Sequence, residues 1–168
     1  ALNNLNIKAR SWLGWQVPII SDKSHAKALI EEIKTDNILD FFKKNQVAVI
    51  SGFQGISNEN RITTLGRGGS DTSAVAIAAA FSAERCDIYT DVDGVYTTDP
   101  RIVKSAKKLD LITYEEMLEL ASQGAKVLQT RSVALAMKYN VKLRVLSSFE
   151  DLPGTSIIKE EKNMEKTE

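Results

Sequence analysis

One cysteine in 168 residues, Cys86, excludes an internal disulfide framework and argues against a zinc site. One histidine, His25, sits in the polar run Ser21-Asp22-Lys23-Ser24-His25, where a lone imidazole is ordinarily just solvated, and it is given no role. Neither sign of charge is in excess. The 22 Lys and Arg balance 22 Asp and Glu, so no net field draws the chain to nucleic acid or to an anionic membrane surface, and any anion site has to be local. Signal-like and membrane-length apolar stretches are missing too, which makes a reducing cytoplasm the expected compartment. No repeat or low-complexity tract appears before the charged tail at residues 159–168, which has too little apolar surface to order itself. The rest is ordinary globular material, 43% hydrophobic and 26% charged, enough for one domain with a real core. Cys86 opens an apolar strand pattern and reads as a small core residue.

The most informative stretch is Thr63-Thr64-Leu65-Gly66-Arg67-Gly68-Gly69-Ser70-Asp71-Thr72, followed by the alanine-rich run Ser73 to Phe81. Three glycines in four positions permit turns with positive φ and close approach to a ligand, and Ser70 and Asp71 fall where an N-cap and a first helical turn are expected. Unpaired N–H groups, the positive end of a helix dipole and the planar fork of Arg67 would then converge on an anion. A plain capped helix behind a glycine turn is the alternative. An acid at Asp71 should be held ionised by the dipole, fitting it to orient a cation better than to act as a general acid.

Around this stretch the pattern alternates strands and helices. Val17–Ile20 reads as a short strand, Asp36–Lys44 as a helix, and the continuous apolar run Val47–Ile50 as a strand buried on both faces of a parallel sheet. Ser57–Asn60 is a turn. The helix after the glycine loop should run from about Ser70 to Glu84, with Cys86–Tyr89 as the next strand, a βαβ arrangement whose ligand site lies outside the carboxyl ends of the strands. Helices are expected at Tyr114–Ser122 and Thr130–Tyr139, and an extended piece at Leu109–Ile112. Val141–Leu146 alternates apolar residues with Lys142 and Arg144, as a strand with one wetter face does at a sheet edge. Trp12 and Trp15, flanking Gly14, read as packing anchors. Lys27–Ile33 fits neither period.

A second motif, Tyr89-Thr90-Asp91-Val92-Asp93-Gly94-Val95-Tyr96-Thr97-Thr98-Asp99-Pro100-Arg101, is turn chemistry when taken alone, since Asp-Gly and Asp-Pro are common turn pairs. With Thr64–Thr72 it resembles the aspartokinase family of the amino-acid kinase superfamily. Gly124-Ala125-Lys126-Val127-Leu128 and Arg144-Val145-Leu146-Ser147-Ser148 resemble the same family, and the likeness runs from Lys8 to about Ile157. Not found in these 168 residues are the family's Lys-Phe-Gly-Gly strand and loop, its Gly-Glu helix and its ACT domains.

The resemblance implies an α/β fold, a three-layer αβα sandwich with a mainly parallel central sheet, incomplete at its N-terminus. Residues 1–158 would be the C-terminal part of the catalytic domain, opening at the end of a long helix, with a strand entered at Ile7–Arg10 and another at Lys27–Ile33. It further implies ATP-dependent phosphorylation of the L-aspartate side-chain carboxylate to 4-phospho-L-aspartate, with ATP and Mg2+ as cofactors. Arg67 would clamp aspartate, with Gly68, Gly69, Ser70 and Asp71 completing the substrate site; Asp71 and Arg67 are the catalytic residues implied, the partner of Asp71 in the family being the lysine of the Lys-Phe-Gly-Gly motif. Thr90, Asp91, Tyr96, Arg101, Lys126 and Val127 match the family's ATP contacts, and no protein metal ligand is assigned. The expected partners are L-aspartate, ATP and either a separate N-terminal segment or further copies of the chain. With the motif lysine not among these residues, the chain alone should be weak or inactive. A non-catalytic remnant, one subunit of a split aspartokinase, or another amino-acid kinase are the alternatives.

Overall fold

The computed structural model describes residues 1–124 and 127–160. The chain divides into two compact units, Ala1–Ser82 and Ala83–Glu168.

In the first unit a 3-10 turn at Leu2–Leu5 leads into β1 (Ala9–Trp12), followed by β2 (Ile19–Ser21), β3 (Ile30–Ile33), α1 (Asp36–Phe42), β4 (Val47–Ile50), β5 (Gln54–Ile56), β6 (Ile62–Thr64) and α2 (Gly69–Ala80). β1 and β4 pair in parallel, Ala9 opposite Val47 through Trp12 opposite Ile50. The other four strands form a sheet in the order β3-β2-β5-β6, in which only β2 and β5 are parallel. α1 places Ile38 and Phe41 three residues apart on one face. Ile38 is fully buried with Trp12, Val17 and Ile19, and Phe41 meets the Trp12 ring edge-on at 5.7 Å. Of the Lys27–Ile33 stretch only Ile30–Ile33 is a strand, β3; residues 27–29 lie outside it.

Three expectations change here. β4 is covered on one face only, by α1, and Val47 and Val49 are 41% and 50% exposed; an apolar run shows what a strand can bury, not what is there to bury it. Trp12 anchors the core, whereas Trp15 stays 47% exposed. β6 forms an antiparallel hairpin with β5, and the strand after α2 belongs to another sheet, so β6 and α2 are not the first half of a βαβ unit.

The second unit contains β7 (Cys86–Thr90), β8 (Leu111–Thr113), α3 (Tyr114–Ser122), α4 (Thr130–Tyr139), β9 (Leu143–Ser147) and β10 (Thr155–Ile158). Its sheet runs β7-β9-β10-β8, parallel for β7 with β9 and for β10 with β8, antiparallel between β9 and β10. α3 starts on a reciprocal cap: Thr113 Oγ1 accepts from the Glu116 N–H, and Glu116 accepts from the Thr113 N–H. The Tyr114 hydroxyl donates to the Val141 carbonyl at 2.7 Å, satisfying its polar end within a core that includes Met117, Val133, Leu143, Val145 and Ile157.

β9 is an inner strand, not an edge. Its charged residue faces Asp87 of β7 directly in register, and Arg144 grips that carboxylate through Nε at 3.1 Å and Nη2 at 2.7 Å while Arg85 Nε adds a third donor. Alternation produced by a paired charge looks, in sequence, like alternation produced by solvent. The chain is α/β, with parallel and antiparallel pairing both present. Among the described residues no helix is long and apolar enough to cross a membrane.

Candidate active site

The glycine motif forms a tight loop onto α2. Gly66 has φ +77°, and a Cβ there would stand 2.5 Å from the Ala26 carbonyl oxygen, so both the backbone angle and the space require glycine. Gly68 is the N-cap in the left-handed region at φ +67°, which makes Ser70 the second helical residue and not the cap expected from its type. The cap lacks a side-chain oxygen; instead the Thr72 hydroxyl donates back to the Gly68 carbonyl at 2.9 Å.

The N–H groups of Gly68, Ser70 and Asp71 have no acceptor among the described residues. Arg67 is exposed and makes no hydrogen bond or ion pair there either. One guanidinium and several oriented N–H donors are thus uncommitted within five residues, an arrangement suited to a carboxylate or phosphate. Asp71 is half-buried and unpartnered, and burial raises its pKa above the ordinary carboxylate range. Desolvation thus works against the ionised form at a helix N-terminus where the dipole favours it, an opposition that the local sequence pattern does not announce. Behind the loop, Ser73 donates to the Ser70 carbonyl at 2.8 Å and accepts from the Phe53 N–H at 3.2 Å. Sequence reasoning missed both residues, because Phe53 belongs to a different turn and only its positive φ of +68° sets it over Gly69.

The second motif builds a strap after β7. The Thr90 hydroxyl donates to Asp91 at 3.1 Å. The Tyr96 hydroxyl donates to both Asp93 oxygens at 3.0 and 3.2 Å, and Lys108 Nζ donates to the same carboxylate at 3.3 Å. Burial opposes ionisation of Asp93, but these donors outweigh it and its pKa lies below the ordinary range; the phenol of Tyr96 is raised, chiefly by that hydrogen bond. Arg101 forms a bidentate pair with Asp99 at 3.0 and 2.8 Å. The Arg101 side chain is 84% exposed, and the N–H groups it does not give to Asp99 can meet a further anion.

The base of the strap is fastened three ways. The Leu109 N–H donates to the Val95 carbonyl and the Thr97 N–H to the Lys107 carbonyl, both at 2.9 Å. Thr155 Oγ1 accepts from the Val95 N–H at 2.8 Å and donates to the Leu109 carbonyl at 2.6 Å.

The structure therefore brings Arg67, Gly68, Gly69, Ser70 and Asp71 together in one loop. In the other unit, Thr90 and Asp91 lie at the end of β7, with Tyr96 and Arg101 on the strap. Val127 is half-buried, and Lys126 lies outside the described residues. A depression of about 200 Å³ at the ends of β7 and β9, lined by Tyr89, Arg144, Leu146, Ser147 and the turn from Glu150 to Pro153, contains none of the residues expected to meet the nucleotide. Among the described residues no group of three or more His, Cys, Asp or Glu is placed to hold a metal ion.

Comparison with known proteins places this geometry in context. Residues 1–147 match the model of the amino acid kinase family. The chain is 55% identical over 166 residues to the aspartokinase of Rickettsia felis, covering 98% of this chain and 41% of that protein. It is 57% identical over 166 residues to the aspartate kinase of Pseudomonas fluorescens, covering 98% of this chain and 40% of that one. The crystal structure of E. coli aspartokinase III in complex with aspartate and ADP superposes with a TM-score of 0.87 at 34% identity, over 96% of this chain and 37% of that one. The chain thus spans about two fifths of the length of these relatives. With the family model covering residues 1–147 of its 168, the chain belongs to the amino acid kinase family.

Proposed function

We propose that this chain carries the aspartate-binding loop and the nucleotide-binding strap of an aspartokinase, serving transfer of the ATP γ-phosphoryl to the side-chain carboxylate of L-aspartate. The observation that carries the reading is the loop itself. Arg67 stands exposed and unpaired beside uncommitted N–H groups, ready for a dicarboxylic amino acid. A transfer between two anions calls for cations and oriented donors rather than a protein nucleophile, and no nucleophile is needed among the motif residues. The aspartokinase relatives extend over 98% of the chain, and the E. coli enzyme was crystallised with aspartate and ADP.

On this reading Arg67 clamps an aspartate carboxylate, and the N–H groups of Gly68 and Ser70 receive the same substrate. Asp71 orients a cation at the acceptor. Thr90, Asp91, Tyr96, Arg101, Lys126 and Val127 take the nucleotide. Magnesium, which neutralises phosphate charge when bound, is ordinarily held by phosphates, water and one or two carboxylates. Asp91, exposed and hydrogen-bonded by the Thr90 hydroxyl, with the Arg101 charge nearby, fits that minimal role. The product would be 4-phospho-L-aspartate, the entry to lysine, threonine, methionine and diaminopimelate synthesis, made in the cytoplasm.

Calorimetric titration of the 168-residue chain with L-aspartate and with Mg-ATP tests the division of labour. Arg67→Ala should weaken aspartate by about 1.5–3 kcal/mol, the worth of a charge-assisted clamp, and leave Mg-ATP nearly unchanged; Arg67→Lys should recover part. Equal loss of both ligands would overturn it. Hydroxamate trapping of aspartyl phosphate, run alongside, separates a chain that turns over from one that only binds.

A further inference from the structure

We propose that Asp93, held by Lys108, is a positioning residue that presents Tyr96 to the nucleoside end of the nucleotide, away from its phosphates. This deepens the nucleotide reading of the strap and rests on it.

Asp-Gly at positions 93 and 94 would ordinarily be read as turn chemistry, with the carboxylate serving nearby backbone. Here the carboxylate also reaches forward to a phenol three residues on and to an ammonium fifteen residues on. Tyr96 and Lys108 face one another across an isolated antiparallel bridge, so the two donors arrive at Asp93 from opposite strands of the strap. The Lys108 stem passes close to Gly94: a Cβ there would meet Lys108 Cδ at 3.1 Å and the Thr155 hydroxyl at 2.6 Å. The pair is sheltered, with the Asp93 and Lys108 side chains 28% and 24% exposed, so solvent screens it less than a surface ion pair. Three side chains are therefore locked to one another at a place where a turn requires none of them to be.

The lock fixes what Tyr96 can do. A phenol has one proton, and Asp93 holds it. The oxygen is left with acceptor capacity only, while the ring is pinned at its far end with its χ angles set. Phosphate oxygens are acceptors, so Tyr96 cannot donate to them in this state, and the Asp93 carboxylate would repel them. An exocyclic amine, a ribose hydroxyl or the flat face of a base are the complementary groups. The family resemblance already sets Tyr96 over the adenine or ribose; the hydrogen bonds add Asp93 as the residue that holds it to that end.

The test uses the full 168-residue chain, with Mg-ATP and AMP as probes. Asp93→Ala should weaken both by the same factor, roughly tenfold, because the lost ordering acts on the part the two ligands share. Asp93→Asn, which can still accept the phenol proton, should restore most of the affinity. Tyr96→Phe should match Asp93→Ala, and the double variant should be no worse than either, as groups acting through one contact require. Titration of the phenols in the near ultraviolet, taken as the difference from Tyr96→Phe, should show Tyr96 ionising at lower pH once Asp93 is removed. Tighter Mg-ATP binding by Asp93→Ala would place the carboxylate beside the phosphates and overturn the proposal. Unchanged affinity with a lowered melting temperature would reduce Asp93 to a structural residue. Wild-type chain that takes up neither probe would sink the nucleotide reading itself.

Discussion

Replacing Gly69 by alanine sets two effects against each other at the base of the anion loop. Alanine is favoured over glycine within a helix by about 0.8–1 kcal/mol, and by less at the first helical position that Gly69 occupies. Against this, a Cβ at Gly69 would stand 2.7 Å from Phe53 Cδ2 and 2.9 Å from Leu65 Cβ. The Phe53 ring is 41% exposed and has somewhere to go, although its backbone is held at both ends, N–H to Ser73 and carbonyl to the Leu65 N–H. Leu65 is fully buried and cannot retreat. Overpacking of this kind costs about 1–3 kcal/mol, so the steric effect wins and Gly69→Ala should destabilise the first unit by about 1–2 kcal/mol. Urea unfolding followed by circular dichroism measures the net effect, and hydrogen exchange of the α2 amides localises it. In a Phe53→Ala background the ring's share disappears while that of Leu65 remains, so the cost should fall by about half without vanishing. A neutral or stabilising Gly69→Ala in both backgrounds would refute the close packing of this loop.

Two further predictions concern buried charge. Asp71 has a raised folded pKa, so its carboxyl favours the fold when protonated, below the unfolded value of about 3.9, and that contribution is lost as pH rises through the folded value. Asp71→Asn should accordingly stabilise the chain at neutral pH by about 0.5–1 kcal/mol, kept small by partial exposure, with the gain shrinking toward pH 3 in thermal melts; a loss of stability at pH 7 would mean an unseen cation partner. Asp87 has the opposite sign: burial opposes its ionisation, but Arg144 and Arg85 outweigh it and lower its pKa. Its contribution is complete above about 3.9 and is lost as pH falls through the depressed folded value, so Arg144→Met should cost about 1–2 kcal/mol at pH 7 and much less in strong acid. A difference independent of pH would show that packing, not charge, is what Arg144 supplies.

Much of the second unit is legible in the sequence. α3 and α4 fall where the periodicity of Met117, Leu118 and Leu120 and of Val133, Leu135 and Ala136 puts them, because each helix has one face to bury and a clear stop, Asn140 in the left-handed region ending the second. α2 was harder. Its small residues are apolar nearly all round and carry no stop signal, so the expected end at Glu84 gives way to Ala80, with Ser82 at positive φ turning the chain away. Sheet partners were the least legible, since β6 folds back on β5 and β9 lies inside its sheet for reasons that depend on residues distant in sequence. The same holds for the candidate site. Motif spacing assembled the glycine loop residue by residue, yet the desolvation of Asp71 and the hold of Lys108 on Asp93 arise from neighbours that no local pattern names.

The three fastenings at the base of the strap close it without drawing on its far end, whose turns are held by hydrogen bonds of their own from Ile102 and Val103 to Asp99. Between Thr97 and Lys107 the chain makes a closed excursion whose entry and exit are already joined by the Val95, Leu109 and Thr155 hydrogen bonds. Ends fixed in this way make length inexpensive, since each doubling of a flexible loop adds only about 0.6 kcal/mol of closure cost. The tip around Ile102, Lys104 and Ser105 is exposed. A fluorescent tag or short epitope placed after Lys104 would therefore ride on the strap without prying open its base, giving a reporter attached to the same ribbon that carries Tyr96.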